Sequence, residues 1–512
     1  MICDSLLFNE NEIENQLINN ELNKFSFKKY LNRPLNVCYI GAGYVGGTSS
    51  SVMAYKCPID EVIVTVCDVD TEKINSWNSD ILPIYEPGLE EIVKDRRGKN
   101  LFFTVDIEKA IYSADIIFIS VGTPTKKVGI GAGQAAELSF IEKAVRKIAS
   151  LSRNSKIIVE KSTVPCRTAE HIRAILNANQ ITTNNNNNNT KNSSIHFEIL
   201  SNPEFLAEGT AVNDILNPDR ILIGGLQTKE GIEAQDLLSK LYSYWIPKEK
   251  IIKMGLWSAE LSKLTANALL AQRISSINSL SALCEEVGSD IQEISHACGL
   301  DSRIGPKFLN ASVGFGGSCF KKDVLNLVYL SNYYNLPEVA EYWNQVITMN
   351  EYRKSRFVKN IFNKLFNTIS DKTITIFGFS FKKNTKDTRE SPAITVVLSL
   401  LREGAFIKIY DPKVSEKQIK YDIMENCDIQ NYNDYISRMK VCSSCYEAAD
   451  CSNAIVICTE WDEFTFIDYK RVYNNMLKPA FIFDGRLILN HKELKEIGFF
   501  VEAIGKNFNK II

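Results

Sequence analysis

A single cysteine ends a glycine-rich run in the stretch ASVGFGGSCFKKDV, residues 311–324. Lys322 and Asp323 follow Cys319 within four residues. A cysteine is a nucleophile only as the thiolate, and a lysine or loop amides near it lower its pKa. Glycines in front of it would let a bulky substrate approach. The segment predicts a nucleophilic cysteine, although a buried cysteine in a loop with turn glycines has the same pattern.

Two further segments carry groups suited to acid–base or oxyanion chemistry. In NPEFLAEGTA, Glu204 and Glu208 lie four residues apart, as in an acid–base pair on successive helical turns. The same spacing is typical of a solvated helix start. In ELSKLTANALLAQRI, one helical stripe contains Glu260, Lys263 and Asn267. This stripe is either a surface face or the lining of a site where an ammonium and an amide stabilise an oxyanion. With four histidines in the chain, histidine is a poor candidate for the general base.

A dinucleotide-binding pattern begins the first strand–turn–helix segment. YIGAGYVGGT contains Gly41-x-Gly43-x-x-Gly46 after an apolar strand and before a helix, and the second strand ends in Asp68. Glycines let the backbone approach a pyrophosphate at a helix N-terminus. An acid after the second strand accepts hydrogen bonds from ribose hydroxyls and repels a 2′-phosphate. The pattern predicts NAD rather than NADP, with a purely structural glycine turn as the alternative.

Two other polar segments follow strands of the same predicted sheet: SVGTPT, residues 120–125, and EKSTVP, residues 160–165. Ligands bind at the carboxyl ends of strands in such sheets, so both segments suit the rest of the dinucleotide. Each is also compatible with an ordinary loop. Beside a nicotinamide, a nucleophilic cysteine predicts oxidation of an aldehyde through a thioester.

Apolar strands and helical segments alternate at both ends of the chain, with a helical stretch between them. Such alternation predicts parallel sheets with helices on both faces. The expected fold is α/β, with two Rossmann-like doubly wound domains joined by a long central helix and a helical connector. The expected divisions are a tail at 1–34, an NAD-binding domain at 35–256, a central helical domain at 257–369 and a second Rossmann-like domain at 370–512. The Asn-rich segment at about 182–194 is expected to be a disordered surface insertion.

Composition argues against several other classes of protein. The chain has 512 residues, 45% hydrophobic and 23% charged, with a net charge of −2, which is typical of a soluble protein of two to four domains. There is no basic patch for nucleic acid, no apolar run of the ~18 residues that span a membrane, and no signal peptide at the start. A cytoplasmic protein is therefore expected. Cys442 and Cys445 have CxxC spacing without a second close pair, so no metal site is expected.

Taken in order, these segments resemble the UDP-glucose 6-dehydrogenases of the UDP-glucose/GDP-mannose dehydrogenase family. The resemblance extends from about residue 35 to 505 and rests on GAGYVGG, LPIYEPGL, EKSTVP, LSNPEFLAEGTA, NPDRILIGG, ELSKLTANA, ASVGFGGSCFKKDV, DTRESPA, YDPKV and FIFDGR. The segment LAQRISSINSLSALCE is similar to the animal branch in particular.

The resemblance implies NAD-dependent oxidation of UDP-glucose to UDP-glucuronate, with two NAD reduced per sugar. Cys319 would form the thiohemiacetal and then the thioester, and Glu204 would activate the water that hydrolyses it. The groups that would position water and stabilise oxyanions are Lys263, Asn267, Asp323 and Thr163.

The resemblance also implies that the Rossmann-like domain at 370–512 is the UDP-sugar-binding domain, and it implies the binding residues. The NAD residues would be Gly41, Ala42, Gly43, Tyr44, Val45, Gly46, Asp68, Lys73, Val121, Gly122, Thr123, Pro124, Thr125, Ser162, Thr163, Glu208, Lys322 and Arg389. The UDP-sugar residues would be Glu204, Phe205, Leu206, Ala207, Glu208, Lys263, Asn267, Arg303, Asn310, Ala311, Ser312, Val313, Gly314, Phe315, Gly316, Phe381, Lys382 and Arg486. Their basic members supply what a diphosphate needs. Because Arg303 would reach from a neighbouring subunit, a homo-oligomer, dimer or hexamer, is expected.

Three positions depart from the pattern of animal relatives. Lys73 replaces an arginine near the adenosine, Gly122 replaces an asparagine, and Asn310 replaces a lysine. Each is expected to alter affinity rather than chemistry.

Two alternative functions stay open at this point. A related dehydrogenase of GDP-mannose or of a UDP-N-acetylmannosamine would share the fold and the cysteine. An inactive NAD-binding scaffold would be expected to lack one of Cys319, Glu204, Lys263 and Asp323, and all four are present.

Overall fold

The computed structural model describes residues 33–179 and 195–508. Most of the predicted N-terminal tail and all of the predicted Asn-rich insertion lie outside the described residues. In the part of the chain that is described, no helix is both long enough and apolar enough to span a membrane.

The first α/β domain is built on a sheet with strand order β3-β2-β1-β4-β5-β6-β7-β8. Its strands are β1 Leu35–Ile40, β2 Val62–Cys67, β3 Leu101–Thr104, β4 Ile116–Ile119, β5 Lys156–Glu160, β6 Phe197–Ser201, β7 Ile221–Gly225 and β8 Ile251–Gly255. Its helices are α1 Tyr44–Lys56, α2 Thr71–Trp77, α3 Leu89–Arg96, α4 Ile107–Ser113, α5 Ser139–Leu151, α6 Thr168–Asn179, α7 Ala211–Leu216 and α8 Lys229–Tyr242. The order reverses between β1 and β4, which creates the crevice where ligands bind in doubly wound sheets.

The predicted parallel sheet is confirmed, except that one pairing, between β6 and β7, is antiparallel. Strands β1 to β6 are parallel to their neighbours, but β7 pairs antiparallel with β6 through Ser201 and Gly224. Strand β8 then runs parallel to β7.

A long helix, α9 Leu256–Val287, leaves the first domain and ends where Gly288 adopts a φ of +86°. Its 32 residues give a length of about 48 Å. The helical region continues with α10 Ile291–Leu300, α11 Phe320–Tyr333 and α12 Pro337–Lys364. The apolar contact among these helices is formed by residues such as Leu264, Ala268 and Val324.

The second α/β domain has a parallel sheet with strand order β11-β10-β9-β12-β13-β14. Its strands are β9 Thr373–Phe377, β10 Phe406–Tyr410, β11 Met439–Val441, β12 Ala454–Ile457, β13 Phe481–Asp484 and β14 Phe500–Ala503. Its helices are α13 Pro392–Arg402, α14 Glu416–Asn426, α15 Ile429–Ser437, α16 Cys445–Ala449, α17 Tyr469–Asn475 and α18 His491–Ile497. The predicted fold class, two α/β domains joined by a long helix, is confirmed.

Candidate active site

The glycine turn after β1 is shaped by close backbone approach. Gly41 has a φ of +105°, and a Cβ there would lie 2.7 Å from the carbonyl oxygen of Ser120. A Cβ on Gly46 would lie 1.9 Å from the carbonyl oxygen of Gly41. By contrast, a Cβ on Gly43, the residue before α1, would meet nothing within 4 Å. The first and third glycines therefore pack the turn, whereas the second leaves an open approach to the helix N-terminus, as a pyrophosphate requires.

The acid after β2 is bound from three directions. Asp68 accepts hydrogen bonds from the backbone N–H of Ala42 at 2.8 Å and of Asp70 at 3.0 Å. The ammonium of Lys73 donates to the same carboxylate at 3.2 Å. A carboxylate offers about four acceptor positions, so Asp68 retains capacity for a ribose hydroxyl. Lys73, the predicted departure, is thus paired with the acid that is expected to select the cofactor.

The loops after β4 and β5 are tied to each other and to the helix that follows the cysteine. The hydroxyl of Thr123 donates to the carbonyl of Thr163 at 2.7 Å, and that of Ser162 donates to the carbonyl of Val121 at 2.7 Å. The ammonium of Lys322 in α11 reaches the Thr123 hydroxyl at 3.4 Å. This contact brings the cysteine-bearing segment to the carboxyl edge of the first sheet.

Cys319 occupies the N-cap position of α11 and is exposed. The glycines before it pack against protein, contrary to the expectation that they clear space for substrate. A Cβ on Gly316 would lie 2.6 Å from the carbonyl oxygen of Glu390, and one on Gly314 would lie 2.8 Å from Oδ1 of Asn350. The glycines therefore let the second α/β domain and α12 close onto the cysteine loop.

The polar stripe of α9 lines the site rather than a surface. Lys263 and Asn267 are both buried, and the Asn267 amide donates to Oδ2 of Asp323 at 2.5 Å. Burial lowers the pKa of Lys263, and the neighbouring acidic groups of Cys319, Asp323 and Glu204 offset part of that shift. The buried amine of Lys263 therefore interacts electrostatically with Cys319, Asp323 and Glu204.

The third member of the stripe has a structural partner. Glu260 accepts hydrogen bonds from the backbone N–H groups of Arg167 at 2.6 Å and Ala169 at 2.9 Å, at the beginning of α6. Its carboxylate therefore satisfies two backbone N–H groups at a helix N-terminus.

Glu204 is held as a carboxylate. Lys161 forms an ion pair with its Oε2 at 2.8 Å, Ser49 donates to the same oxygen at 3.2 Å, and the N–H of Phe205 donates to Oε1 at 2.9 Å. Burial alone would raise the pKa of Glu204, but Lys161, the N–H of Phe205 and Lys263 together outweigh it, and the pKa is lowered. An ionised carboxylate at this position has the protonation state that a general base needs.

The predicted pairing of Glu204 with Glu208 on a helix is wrong. Residues 202–207 form no helix. Glu208 instead faces the second domain, where it accepts hydrogen bonds from Thr385 at 3.2 Å and Arg389 at 3.1 Å. Burial raises the pKa of Glu208 to about 7, with repulsion from Asp387 adding to it and Arg389 opposing it. The two glutamates therefore have different partners and opposite pKa shifts.

The predicted substrate loop, residues 311–316, crosses between the helical region and the second domain. The N–H of Ser312 donates to Oδ1 of Asn278 at 2.8 Å, that of Val313 to the carbonyl of Gly485 at 3.0 Å, and that of Phe315 to Oδ1 of Asn350 at 2.9 Å. Its backbone is therefore fixed by protein hydrogen bonds on both sides.

The predicted basic residues for the diphosphate differ in their surroundings. Arg486 is paired with Glu460 near the end of β13, and the ammonium of Lys382 lies 5.6 Å from the ring of Phe381. Arg303 has an 87% exposed side chain whose hydrogen bonds, in the described chain, go to Asp301. The single chain thus brings Lys382 and Arg486 to the second sheet but does not bring Arg303 to the cysteine loop.

Some residues that shape the site carried no assignment from sequence. Lys161 lies inside the quoted EKSTVP motif, between a strand and the expected cofactor residues. This position was the signal that could have identified it from the sequence. Arg220 stands inside the quoted motif NPDRILIGG, and its guanidinium lies 3.9 Å from the ring centroid of Phe205. Cys442 and Cys445 are buried among apolar residues, and the described part of the chain contains no cluster of side chains that could hold a metal ion.

Known proteins are similar to this chain along most of its length. Models of the UDP-glucose/GDP-mannose dehydrogenase family match at residues 35–246 for the NAD binding domain, 257–352 for the central domain and 375–491 for the UDP binding domain. The chain belongs to the UDP-glucose/GDP-mannose dehydrogenase family. The helix with Cys319 lies in the match to the central domain, and the glycine turn lies in the match to the NAD binding domain.

Two proteins named UDP-glucose 6-dehydrogenase are similar over nearly their full length. The one from Drosophila melanogaster is 57% identical over 476 residues, covering 93% of this chain and 97% of its own. The one from Bos taurus is 56% identical over 473 residues, covering 92% and 93%. A solved UDP-glucose dehydrogenase from Pyrobaculum islandicum superposes with a TM-score of 0.77 at 26% identity, covering 92% of this chain and 98% of that one.

The NAD binding domain of this family fits the open turn at Gly43 and the partly free Asp68. We expect Asp68→Ala to weaken NAD binding by about tenfold or more, because a hydrogen bond to a charged group contributes roughly 1.5–3 kcal/mol. The substitution also frees Lys73, whose ammonium would then attract a 2′-phosphate. Dissociation constants for NAD and NADP, measured by fluorescence titration, should therefore converge.

The double variant Asp68→Ala/Lys73→Met is the matched control, since it removes the freed ammonium as well. It should lose as much affinity for NAD as the single variant does, but it should gain less affinity for NADP. An unchanged NAD/NADP ratio in Asp68→Ala would show that this acid does not select the cofactor.

Proposed function

We propose that this protein oxidises UDP-glucose to UDP-glucuronate in two NAD-dependent steps through a covalent intermediate on Cys319. The proposal rests chiefly on the buried amine of Lys263, which has Cys319, Asp323 and Glu204 as its acidic neighbours. Those neighbours support a site that combines a nucleophile, a proton-accepting carboxylate and an oxyanion-stabilising group. The names of the Drosophila and cattle relatives support UDP-glucose as the sugar nucleotide.

The first half of the reaction uses the groups around Lys263. The 6-hydroxyl loses its proton and a hydride to give an aldehyde, and the Cys319 thiolate adds to that aldehyde to form a thiohemiacetal. Lys263 and the Asn267 amide stabilise the negative charge on the former carbonyl oxygen. Asp323, which accepts from Asn267 at 2.5 Å, fixes the orientation of that amide. NAD, when bound, accepts the hydride in each of the two oxidations.

The second half uses Glu204. Loss of the second hydride converts the thiohemiacetal to a thioester, which retains the bond to Cys319. Glu204, held as a carboxylate beside Lys161, takes a proton from the water that attacks the thioester carbon. Thr163 helps to order that water. The products are the UDP-glucuronate carboxylate and the regenerated Cys319 thiol.

The family includes dehydrogenases of more than one sugar nucleotide, so the substrate needs its own test. Initial rates of NADH formation should be compared with UDP-glucose, GDP-mannose and UDP-N-acetylmannosamine at equal concentrations. The expected result is that kcat/KM for UDP-glucose exceeds the other two by about two orders of magnitude, because a mismatched base or N-acetyl group leaves buried polar groups unpaired. A higher kcat/KM for GDP-mannose or for UDP-N-acetylmannosamine would show that UDP-glucose is not the preferred substrate.

We also propose a homo-oligomer in the cytoplasm, in which Arg303 of one subunit serves the site of another. The 87% exposure of Arg303 supports this, as do exposed apolar residues of the helical region such as Leu283, Val287 and Tyr342. The free cysteine thiols, Cys319 among them, suit a reducing compartment.

A further inference from the structure

A buried lysine that the proposed reaction does not use lies against the proposed base. Lys161 directly follows β5 and has a side chain that is only 1% exposed. Its ammonium lies 2.8 Å from Oε2 of Glu204. It also donates to Oδ1 of Asn202 at 3.0 Å and to the hydroxyl of Tyr242 at 3.3 Å. These partners match the three N–H donors of an ammonium group.

The neighbours of this ammonium are themselves fixed. The Asn202 amide donates to the carbonyl of Leu222 in β7 at 2.7 Å, and the Tyr242 hydroxyl donates to Oδ1 of Asn202 at 2.6 Å. Both Asn202 and Tyr242 are buried. Lys161 is therefore held in one position by groups from the end of β6 and from α8, and it presents its charge to Glu204.

The groups that face Glu204 from the surrounding elements show why this charge matters. Lys161 and Lys263 are the cations, and both lower the pKa of Glu204, with Lys161 having the larger effect. Tyr39 of β1 and Tyr242 of α8 also interact with Glu204, and burial raises the pKa of each phenol so that both stay neutral. Ser49 of α1 adds one hydrogen bond at 3.2 Å. Without Lys161, burial would favour the protonated form of Glu204.

We propose that Lys161 is the positioning residue that keeps Glu204 ionised and oriented as the base for thioester hydrolysis. The inference rests on the proposed function, because it needs Glu204 to act on a thioester. It assigns no part in either hydride step to Lys161. Its specific consequence is a change in the pH dependence of hydrolysis, which a purely structural role would not produce.

The test uses the full-length enzyme with Lys161→Met. NADH formation should still begin with a rapid phase of two NADH per active site, because both oxidations precede hydrolysis. Hydrolysis limits the steady-state rate, and this rate should fall at low pH. The acid limb of its pH profile should move up by on the order of 1–3 pH units, which is the effect of one close opposite charge. Rate should recover as the pH rises above the new limb.

Lys156→Met provides a matched control at the other end of β5. Lys156 is also fully buried, but its ammonium donates to the backbone carbonyls of Tyr112 and Ala114. This variant should lower the melting temperature and leave the acid limb in place. A second variant, Lys161→Gln, keeps a hydrogen-bonding group for Asn202 but carries no charge, and it should shift the limb like Lys161→Met.

The outcomes separate the inference from the function on which it rests. If the wild type forms no NADH from UDP-glucose, the proposed function fails. If the wild type turns over and either Lys161 variant keeps the wild-type acid limb, only the role of Lys161 is overturned. Loss of the rapid phase in both Lys161 variants, with Lys156→Met retaining it, would also overturn that role and place Lys161 in the first oxidation or in folding.

Discussion

Replacing Cys319 by alanine is expected to reduce steady-state formation of UDP-glucuronate by roughly three orders of magnitude or more, as loss of a covalent nucleophile does in other enzymes. Without the thiol, no thiohemiacetal forms, so the second oxidation has no bound intermediate. The fold should persist, because Cys319 is exposed and the contact of its sulfur with the Ser318 hydroxyl is long, at 3.6 Å. NADH formation with UDP-glucose in excess measures the loss.

Cys298→Ala is the appropriate control for this experiment, because Cys298 is also exposed and lies on α10, outside the proposed machinery. It should retain wild-type turnover. Rapid multiple turnover by Cys319→Ala would remove the covalent intermediate from the mechanism.

Replacing Glu204 by glutamine is expected to stop the enzyme after the second oxidation. The amide keeps the shape of the side chain and removes the base, so the thioester forms and is not hydrolysed. A stopped-flow trace should show two NADH per active site and then a steady rate about two to four orders of magnitude below the wild type, the usual contribution of a general base. The exponential phase itself should be nearly normal.

Glu198→Gln tests whether removal of another buried carboxylate, one on β6, would give the same result. Glu198 is buried, but its partners are His196 and Arg173, away from Lys161. This variant should show no stall. Failure of Glu204→Gln to form even one NADH would instead place Glu204 in the first oxidation or in folding.

Local signals in the sequence were sufficient for the parts of the site that form within one short segment. The turn at Gly41 and Gly46 and the acid at Asp68 are neighbours of a strand end, and their geometry follows from the strand–turn–helix pattern alone. The stripe of Lys263 and Asn267 on α9 was also visible, but its environment was not. Whether a polar stripe faces solvent or a site depends on what packs against it, here the helix that follows Cys319.

The errors arose where distant segments meet. Glu208 has a helical spacing from Glu204, yet Thr385 and Arg389, more than 170 residues later, compete for it and hold it away from Glu204. Gly316 looked like space for a substrate, but the backbone at Glu390 fills that space. The pairing of Lys161 with Glu204 was hidden for the same reason, because β5 and the segment after β6 become neighbours only in the sheet.

The most direct test of the proposed covalent pathway is the mass of Glu204→Gln after incubation with UDP-glucose and NAD. Intact-protein mass spectrometry should show one UDP-glucuronyl group per chain, and peptide mapping should place it on Cys319. The double variant Cys319→Ala/Glu204→Gln should show none. An adduct on another residue, or a stalled enzyme with no adduct, would contradict a thioester at Cys319.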